Sequence, residues 1–338
     1  MTFWMREDQQ MTHDTPPTRR RTTGSRVPRR DCLKAAAVAC LGSPALAAPA
    51  TDWRAKAKKN LRMGVTSTIY SRLPLEEAAT RIRADGFRSV LTNYAFADVR
   101  FDPLAPDWEA AAKITGAFER HGIEIAAVFG YVNLIDPVPE RRKRGHARLE
   151  ALLTNWKRLG CRNVSTETGT FNTKSPWLDA PENYTEEGYV ACRTAVEKWA
   201  RVAEKAGALL SIEAYWRNVI DSIDRAERLF REVPSPALGL VMDPNNYFRK
   251  EDLPNMQPML REMFRRLGSR IVIAHAKDVK AAPEGTELPA SGKGVLDYRL
   301  FLRLLAQLDR PMDLILEHLT LDDVPRARDF VLAQFDKI

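Results

Sequence analysis

Four consecutive apolar segments in the second half of the chain each end on a side chain that can bind a metal ion. The residues are Glu213, Asp243, His275 and Glu317, which lie 30, 32 and 42 residues apart. Each follows a short run rich in leucine, isoleucine or valine, as expected for a buried parallel strand. Because a (β/α)₈ barrel carries its chemistry at the carboxyl ends of its strands, this spacing predicts a single α/β barrel of the TIM type.

The first half of the chain shows the same alternation of strands and helices. Strands are predicted at 61–67, 88–94, 123–131 and 162–168, and the helices that follow are predicted to stop at Gly86, Gly122, Gly160 and Gly207. The helix that stops at Gly160 is predicted to begin at about Pro139 and to end at Leu159. Eight such units favour a closed barrel over an open sheet. No G-x-G-x-x-G fingerprint opens the first helix, so no nucleotide cofactor is expected.

The N-terminal segment resembles a twin-arginine export signal. Arg29 and Arg30 are followed by Leu33, Lys34 and a run of small apolar residues, and Ala45-Leu46-Ala47 is a candidate cleavage site. The alternative is a disordered basic arm with an alanine-rich helix. The apolar run is too short to remain as a membrane span, for which about 20 residues are needed.

This interpretation divides the chain into an export signal at 1–47, a lead-in at 48–60 and the barrel at 61–338. It predicts a periplasmic or secreted protein that uses the twin-arginine export machinery and has no stable membrane anchor. Phosphorylated metabolites are mainly cytoplasmic, so an exported protein is expected to meet unphosphorylated ones. Oligomeric state is left open, and homo-oligomers are compatible with the sequence.

The charge and the cysteines further restrict the class of protein. The chain carries a net charge of +8, but residues 1–47 hold eight basic and four acidic side chains, so the remainder carries only +4. With no basic stripe interleaved with aromatic residues, a nucleic-acid partner is not expected. Cys161 and Cys192 remain after the signal, and two separate buried thiols are favoured over a disulfide.

The alternation of side chains along a strand tests where the four candidate ligands point. If they face the barrel interior, so do Ser211, Val241, Ile273 and Ile315, two residues before each, and all four are apolar or small. Four ionisable groups at such strand ends would repel each other or stay unpaired without a cation. Their oxygen and nitrogen donors suit Mn²⁺, Mg²⁺, Co²⁺ or Zn²⁺, and the spacing does not choose among these ions.

Five motifs follow one another in the second half of the chain: I-E-A-Y (212–215), M-D-P-N-N (242–246), H-A-K-D (275–278), G-K-G-V-L-D-Y (292–298) and L-E-H (316–318). By the order of these motifs the chain resembles, roughly from Leu61 to the C-terminus, the sugar isomerase/epimerase family with the xylose isomerase-like barrel, which includes ketose 3-epimerases and inosose dehydratases. This resemblance implies that Glu213, Asp243, His275 and Glu317 bind one divalent metal ion, with Glu213 and Glu317 facing each other across the substrate.

The same resemblance implies proton transfer on a sugar or keto-sugar through a metal-stabilised enediolate, with Glu213 and Glu317 as the acid/base pair. Return of the proton on the opposite face gives an epimerase, and its return to the neighbouring carbon gives an isomerase. A metal-dependent dehydratase or lyase of a related polyol and a sugar-binding barrel without catalysis remain alternatives. An endonuclease IV-like nuclease would need several histidines, and only His275 and His318 lie near strand ends.

Further side chains at the predicted mouth are candidates for substrate binding: Asn246, Lys277, Glu167, Trp216 and Arg217. Asn246 stands where the epimerases carry a substrate-binding histidine, which puts ketohexose specificity in doubt. For Lys277 the alternative is an ion pair with Asp278 or with a neighbouring strand, and for Glu167 a structural pair. Tyr131 could stack on or hydrogen-bond a sugar ring. His318 has the opposite parity to Glu317 and is expected to face the helices.

Overall fold

The computed structural model describes residues 51–338, in which eight parallel strands close into a barrel. Each barrel strand pairs with its neighbours in chain order, and the first pairs with the last to close the barrel. The barrel strands are β1 (Leu61–Thr66), β2 (Ser89–Thr92), β3 (Glu124–Phe129), β4 (Asn163–Glu167), β5 (Leu209–Glu213), β6 (Leu238–Met242), β7 (Ile271–Ala276) and β10 (Met312–Leu316). The predicted (β/α)₈ fold is confirmed.

Helices follow the barrel strands, and one further helix precedes β1. They are α1 (Trp53–Asn60), α2 (Leu75–Ala84), α3 (Trp108–Arg120), α4 (Pro139–Thr154), α5 (Glu186–Ala206), α6 (Ile223–Glu232), α7 (Met256–Leu267), α8 (Tyr298–Gln307) and α9 (Val324–Phe335). The four predicted glycine stops all have positive φ, between 63° and 91°. Glycine adopts this left-handed conformation without the steric cost that a Cβ would bring.

Helix α4 ends at Thr154 rather than at Leu159, because the Asn155 side chain donates a hydrogen bond to the Ala151 carbonyl and the chain then turns. The lead-in contains α1, which Asp52 caps by accepting a hydrogen bond from the Ala55 amide at 2.9 Å. The predicted export signal lies outside the described residues.

The barrel interior has its own small apolar cluster, separate from the large core between the strands and the helices. It consists of Leu91, Ala127, Val241, Ile273 and Ile315. Three of these are the inward residues predicted below Asp243, His275 and Glu317. The prediction that these side chains point into the barrel is therefore confirmed.

A short antiparallel hairpin interrupts the regular alternation after β7. It is formed by β8 (Lys280–Ala282) and β9 (Gly285–Glu287), which pair with each other and not with the barrel. Gly285 approaches the Trp216 ring so closely that an added Cβ would lie 3.1 Å from it, and the Thr286 hydroxyl donates to the Phe248 carbonyl at 3.3 Å. The hairpin thus packs on the loops that follow β5 and β6.

Cys161 and Cys192 are both free and buried, as predicted. Each thiol lies 3.6 Å from a backbone carbonyl oxygen, that of Asn163 and that of Thr168. Among the helices of residues 51–338, none combines the length and apolar character that a bilayer crossing demands.

Candidate metal centre

The barrel closes so that the four predicted ligands meet at the carboxyl end of their strands. Glu213 is the last residue of β5, Asp243 follows β6, His275 lies in β7, and Glu317 follows β10. One donor atom from each can be chosen so that all four lie within 4.8 Å of one another. The His275 Nδ1 atom is 3.4 Å from a Glu317 oxygen, 3.6 Å from a Glu213 oxygen and 3.9 Å from an Asp243 oxygen.

Neighbouring side chains fix the carboxylates of this cluster. The Asn246 amide donates to Glu213 Oε1 at 2.6 Å, and the Tyr131 hydroxyl donates to Glu213 Oε2. Asp243 caps the short 3₁₀ turn that follows it, and its Oδ1 accepts from the backbone amide of Asn245 at 3.1 Å and from the side chain of Asn245 at 3.3 Å. These contacts use some lone pairs of Glu213 and Asp243 and leave others free for a further partner.

Lys277 places an ammonium group inside the same cluster. Its Nζ lies 2.6 Å from Asp243 Oδ2 and 2.7 Å from Glu317 Oε1. Both ion pairs therefore join Lys277 to residues at the ends of the two neighbouring strands. Asp278, the other predicted partner, instead accepts hydrogen bonds from backbone amides of the loop after β7. Burial opposes the charge on Lys277, but Asp243 and Glu317 prevail and raise its pKa above the ordinary value.

Crowding of charge shifts the pKa values of the other members. Burial favours neutral His275, yet the carboxylates of Glu317 and Glu213 outweigh burial and raise the His275 pKa well above its usual value. For Glu317, burial would raise the pKa, but Lys277 and His275 lower it well below the ordinary value. The Glu167 carboxyl has a strongly raised pKa because of burial and of the adjacent Glu213.

The donor set fits a divalent cation. Among residues 51–338, no hydrogen-bond partner reaches either ring nitrogen of the fully buried His275. A buried polar group without a partner is costly, and a metal ion would satisfy one of these nitrogens. Three carboxylates and one imidazole match the ligand preferences of Mn²⁺, Mg²⁺ and Zn²⁺. These four residues form the single metal-capable group of this kind found in the described part of the chain.

The remaining predicted substrate-binding residues surround this group at different depths. Glu167 pairs in register with Glu213 and is buried beside it. Trp216 is half-buried, and its backbone amide donates to the Asn246 carbonyl at 2.8 Å. The Arg217 guanidinium lies 4.6 Å from the centre of the Trp216 ring and reaches the Glu284 carbonyl of the hairpin at 3.5 Å. These two residues connect the mouth to the hairpin.

The prediction for His318 is wrong. Its ring does not face the helices, because its Nδ1 lies 2.7 Å from the Leu288 carbonyl, just after the hairpin, and its Nε2 lies 3.9 Å from Glu317 Oε1. Strand β10 ends at Leu316, and His318 has a left-handed φ of 56°. The alternation rule applies only within an extended strand, so it does not hold at this residue.

Sequence reasoning also missed Asn245 as a positioning residue and did not foresee that Tyr131 would contact Glu213. A signal for Asn245 exists, since an aspartate that caps a turn commonly accepts the amide two residues later. No local signal identifies Tyr131, because its contact passes over β4, from the segment after β3 to the end of β5.

The fold and the site define a (β/α)₈ barrel with a buried cluster of carboxylates and one imidazole at the carboxyl ends of its strands. Clusters of this composition are typical of metal-dependent barrels. A family model described as the xylose isomerase-like TIM barrel matches residues 79–331. The chain belongs to the xylose isomerase-like TIM barrel family. No curated protein sequence matched this chain significantly.

Solved structures share the fold at low sequence identity. One is a xylose isomerase-like TIM barrel protein from Mycobacterium smegmatis in complex with magnesium, at 17% identity and a TM-score of 0.60 over 83% of this chain and 98% of that chain. Another is 3-keto-D-glucoside 4-epimerase from E. coli, at 15% identity and a TM-score of 0.61 over 82% and 100%. A D-tagatose 3-epimerase-like protein, at 15% identity, gives a TM-score of 0.63 over 82% and 97%. At these identities the similarity shows the fold alone.

Proposed function

We propose that this protein is a divalent-metal-dependent isomerase or epimerase that moves a proton on a sugar or keto-sugar. The observation that carries the proposal is the buried cluster of Glu213, Asp243, His275 and Glu317, in which two glutamates enter from strands separated by β6 and β7. Two carboxylates at different positions around one site can take a proton from carbon and return it elsewhere. The epimerases of the same fold support this direction.

In this proposal the four cluster residues hold the ion, and the ion supplies Lewis-acid stabilisation of negative charge on the substrate oxygens. Glu213 and Glu317 act as the acid/base pair. Tyr131 and Asn246 donate to the two Glu213 oxygens and so fix the direction of its free lone pairs. Burial of the cluster excludes water and strengthens every electrostatic contact within it.

The substrate in this proposal is a small carbohydrate that contacts side chains around the cluster: Asn246, Lys277, Glu167, Trp216 and Arg217. An asparagine at position 246 binds a hydroxyl group without titrating, unlike histidine. Export by the twin-arginine pathway to the periplasm or the medium is part of the proposal, and it favours a free sugar, keto-glycoside or cyclitol over a sugar phosphate.

Solvent-isotope exchange tests the proposed proton transfer. The protein is incubated with Mn²⁺ and a panel of keto-sugars in D₂O, and deuterium in the carbon skeleton is measured by mass spectrometry. We expect incorporation by the wild type and a loss of at least about 10²-fold in Glu213→Gln and Glu317→Gln, the usual size of a general acid–base contribution. Glu284→Gln, an exposed glutamate of the hairpin, is the matched control and should exchange normally.

Two results would contradict the proposal. One is undiminished exchange in both glutamine variants, which would place the proton transfer elsewhere. The other is binding of a sugar without any exchange across the panel, which would favour a barrel that binds carbohydrate without reaction. Loss of a hydroxyl group together with exchange would identify a dehydratase.

A further inference from the structure

We propose that Lys277 is an internal counter-ion that competes with the divalent cation for Asp243 and Glu317, so that it weakens metal binding and stabilises the metal-free site. This inference rests on the metal site of the proposed function and goes beyond it. It assigns Lys277 a role in metal affinity that is independent of contact with a substrate.

The first observation is the position of the ammonium group. Lys277 is 3% exposed, and its Nζ contacts one oxygen of each of two proposed ligands, at 2.6 Å and 2.7 Å. The backbone is fixed as well, because the Lys277 carbonyl accepts from Asn245 Nδ2 at 3.0 Å and from the Tyr298 hydroxyl at 2.7 Å. With both ends of the residue held, the ammonium group has little freedom to leave the cluster.

The second observation is the balance of charge. Glu213, Asp243 and Glu317 bring three carboxylates together, and Glu167 adds a fourth buried carboxyl next to Glu213. Removing one partner from a buried ion pair leaves an uncompensated charge, which is strongly destabilising. Lys277 therefore lowers the repulsion among the carboxylates when no metal ion is bound.

The same positive charge must lower the affinity of the site for a cation. A divalent ion held by Asp243 and Glu317 would lie close to the ammonium that contacts both, and two positive charges in a buried site repel strongly. Lys277 also donates a hydrogen bond to Glu317 Oε1 and so occupies a lone pair that the ion would otherwise use. Its replacement by an uncharged side chain of similar length should thus increase metal affinity.

A purely orienting role makes the opposite prediction. Partners that orient ligands usually increase metal affinity, and their loss weakens binding by about 10–100-fold. The sign of the change in affinity therefore separates a competing charge from an orienting contact.

The test is calorimetric titration of Mn²⁺ into the metal-free full chain, combined with thermal unfolding of the metal-free and Mn²⁺-loaded forms. Lys277→Met removes the charge and keeps the length, and Lys277→Arg keeps the charge. Lys293→Met removes an equal charge from an exposed pair with Asp323 and serves as the control. We expect Lys277→Met to bind Mn²⁺ at least about tenfold more tightly than the wild type. Its metal-free form should unfold at a lower temperature, while the control keeps the wild-type affinity.

Equal or weaker Mn²⁺ binding by Lys277→Met overturns the inference, as does an unchanged unfolding temperature of its metal-free form. If Lys277→Met is unfolded without metal, refolding on addition of Mn²⁺ supports the inference, and failure to refold overturns it. Absence of Mn²⁺ binding by the wild type contradicts the proposed function instead. In that case a gain of binding by Lys277→Met would still support the competing charge.

Discussion

Asn245 shows how a residue that binds no metal can control the cluster. Its side-chain amide donates to Asp243 Oδ1 at 3.3 Å and to the Lys277 carbonyl at 3.0 Å, and the whole residue is buried. It therefore fixes both a proposed ligand and the backbone of the internal counter-ion. Outer contacts of this kind orient ligands and tune metal affinity.

Replacement of Asn245 by alanine should weaken metal binding by about 10–100-fold. It should also lower the free energy of unfolding by about 1–3 kcal/mol, because two buried acceptors lose a donor. Calorimetry with Mn²⁺ and denaturant unfolding measure the two effects. Asn155→Ala is the control, since the Asn155 amide donates only at the end of α4, and its metal affinity should equal that of the wild type. Unchanged affinity in Asn245→Ala would contradict the positioning role.

The two thiols illustrate a different effect of burial. Desolvation raises the pKa of both Cys161 and Cys192 to about 12. At pH 8 both should be protonated and inaccessible, so the folded protein should not react with a thiol reagent, whereas the unfolded chain should expose both thiols. Absorbance after addition of a chromogenic disulfide, with and without denaturant, measures this. Rapid reaction of the native protein would contradict the burial of these side chains.

The meeting of the four proposed ligands could be predicted from sequence because each one ends an apolar segment, and the ends of parallel strands meet at one face. The partners of Lys277 could not be chosen beforehand, because Asp278 and the neighbouring strands were all within plausible reach. Only the barrel geometry places Asp243 and Glu317 nearer than Asp278 to its ammonium group.

At the scale of elements, close packing between strands depends on a glycine in β1. An added Cβ at Gly64 would lie 2.5 Å from Ile315 Cδ1 and 2.9 Å from the Ser89 carbonyl oxygen. The backbone atom cannot move without disturbing the pairing of β1 with β2. The small residue thus lets Ile315 fill the barrel below Glu317.

Gly64→Ala should lower the free energy of unfolding by about 1–3 kcal/mol, the usual cost of overpacking a core. Gly116→Ala is the matched control in α3, where the nearest atom to an added Cβ is the flexible end of Arg120 at 3.3 Å. There the helix should gain about 0.5–1 kcal/mol, because alanine is a better helix former than glycine. Denaturant unfolding of both variants gives the comparison, and equal effects would contradict the packing described for β1.

Element boundaries were predictable where a strong local signal ends the element. Gly86, Gly122 and Gly207 correctly predicted where the preceding helices end. The end of α4 depends instead on a side-chain hydrogen bond of Asn155, which the periodicity of the sequence does not reveal. The hairpin after β7 was not predicted either. Its strands are only three residues long and are held largely by contacts to other loops, including Trp216.

In the molecule as a whole, helix α1 and the barrel account for the described residues, and the proposed role of the first 47 residues is export. This proposal depends on Arg29 and Arg30 ahead of a small apolar run. It links the location of the protein to its substrate, because an exported enzyme would meet free sugars rather than sugar phosphates.

Replacing Arg29 and Arg30 by lysine should retain the unprocessed chain in the cytoplasm. Wild type should appear outside the inner membrane with an N-terminus near Ala48. Cell fractionation followed by mass spectrometry of the N-terminus measures both. The control replaces Arg19 and Arg20 by lysine, which keeps the same change of residue type away from the motif. An unprocessed wild-type chain in the cytoplasm of cells with an active export system would refute the proposal.

We propose that Glu213, Asp243, His275 and Glu317 hold one divalent ion at the mouth of the barrel. The most direct measurement is an anomalous difference map from crystals of the protein grown with Mn²⁺. We predict one peak per chain, with donor atoms of all four residues at about 2.0–2.3 Å, in the range of such metal–ligand bonds. A peak elsewhere, or none among these residues at saturating Mn²⁺, would contradict the claim.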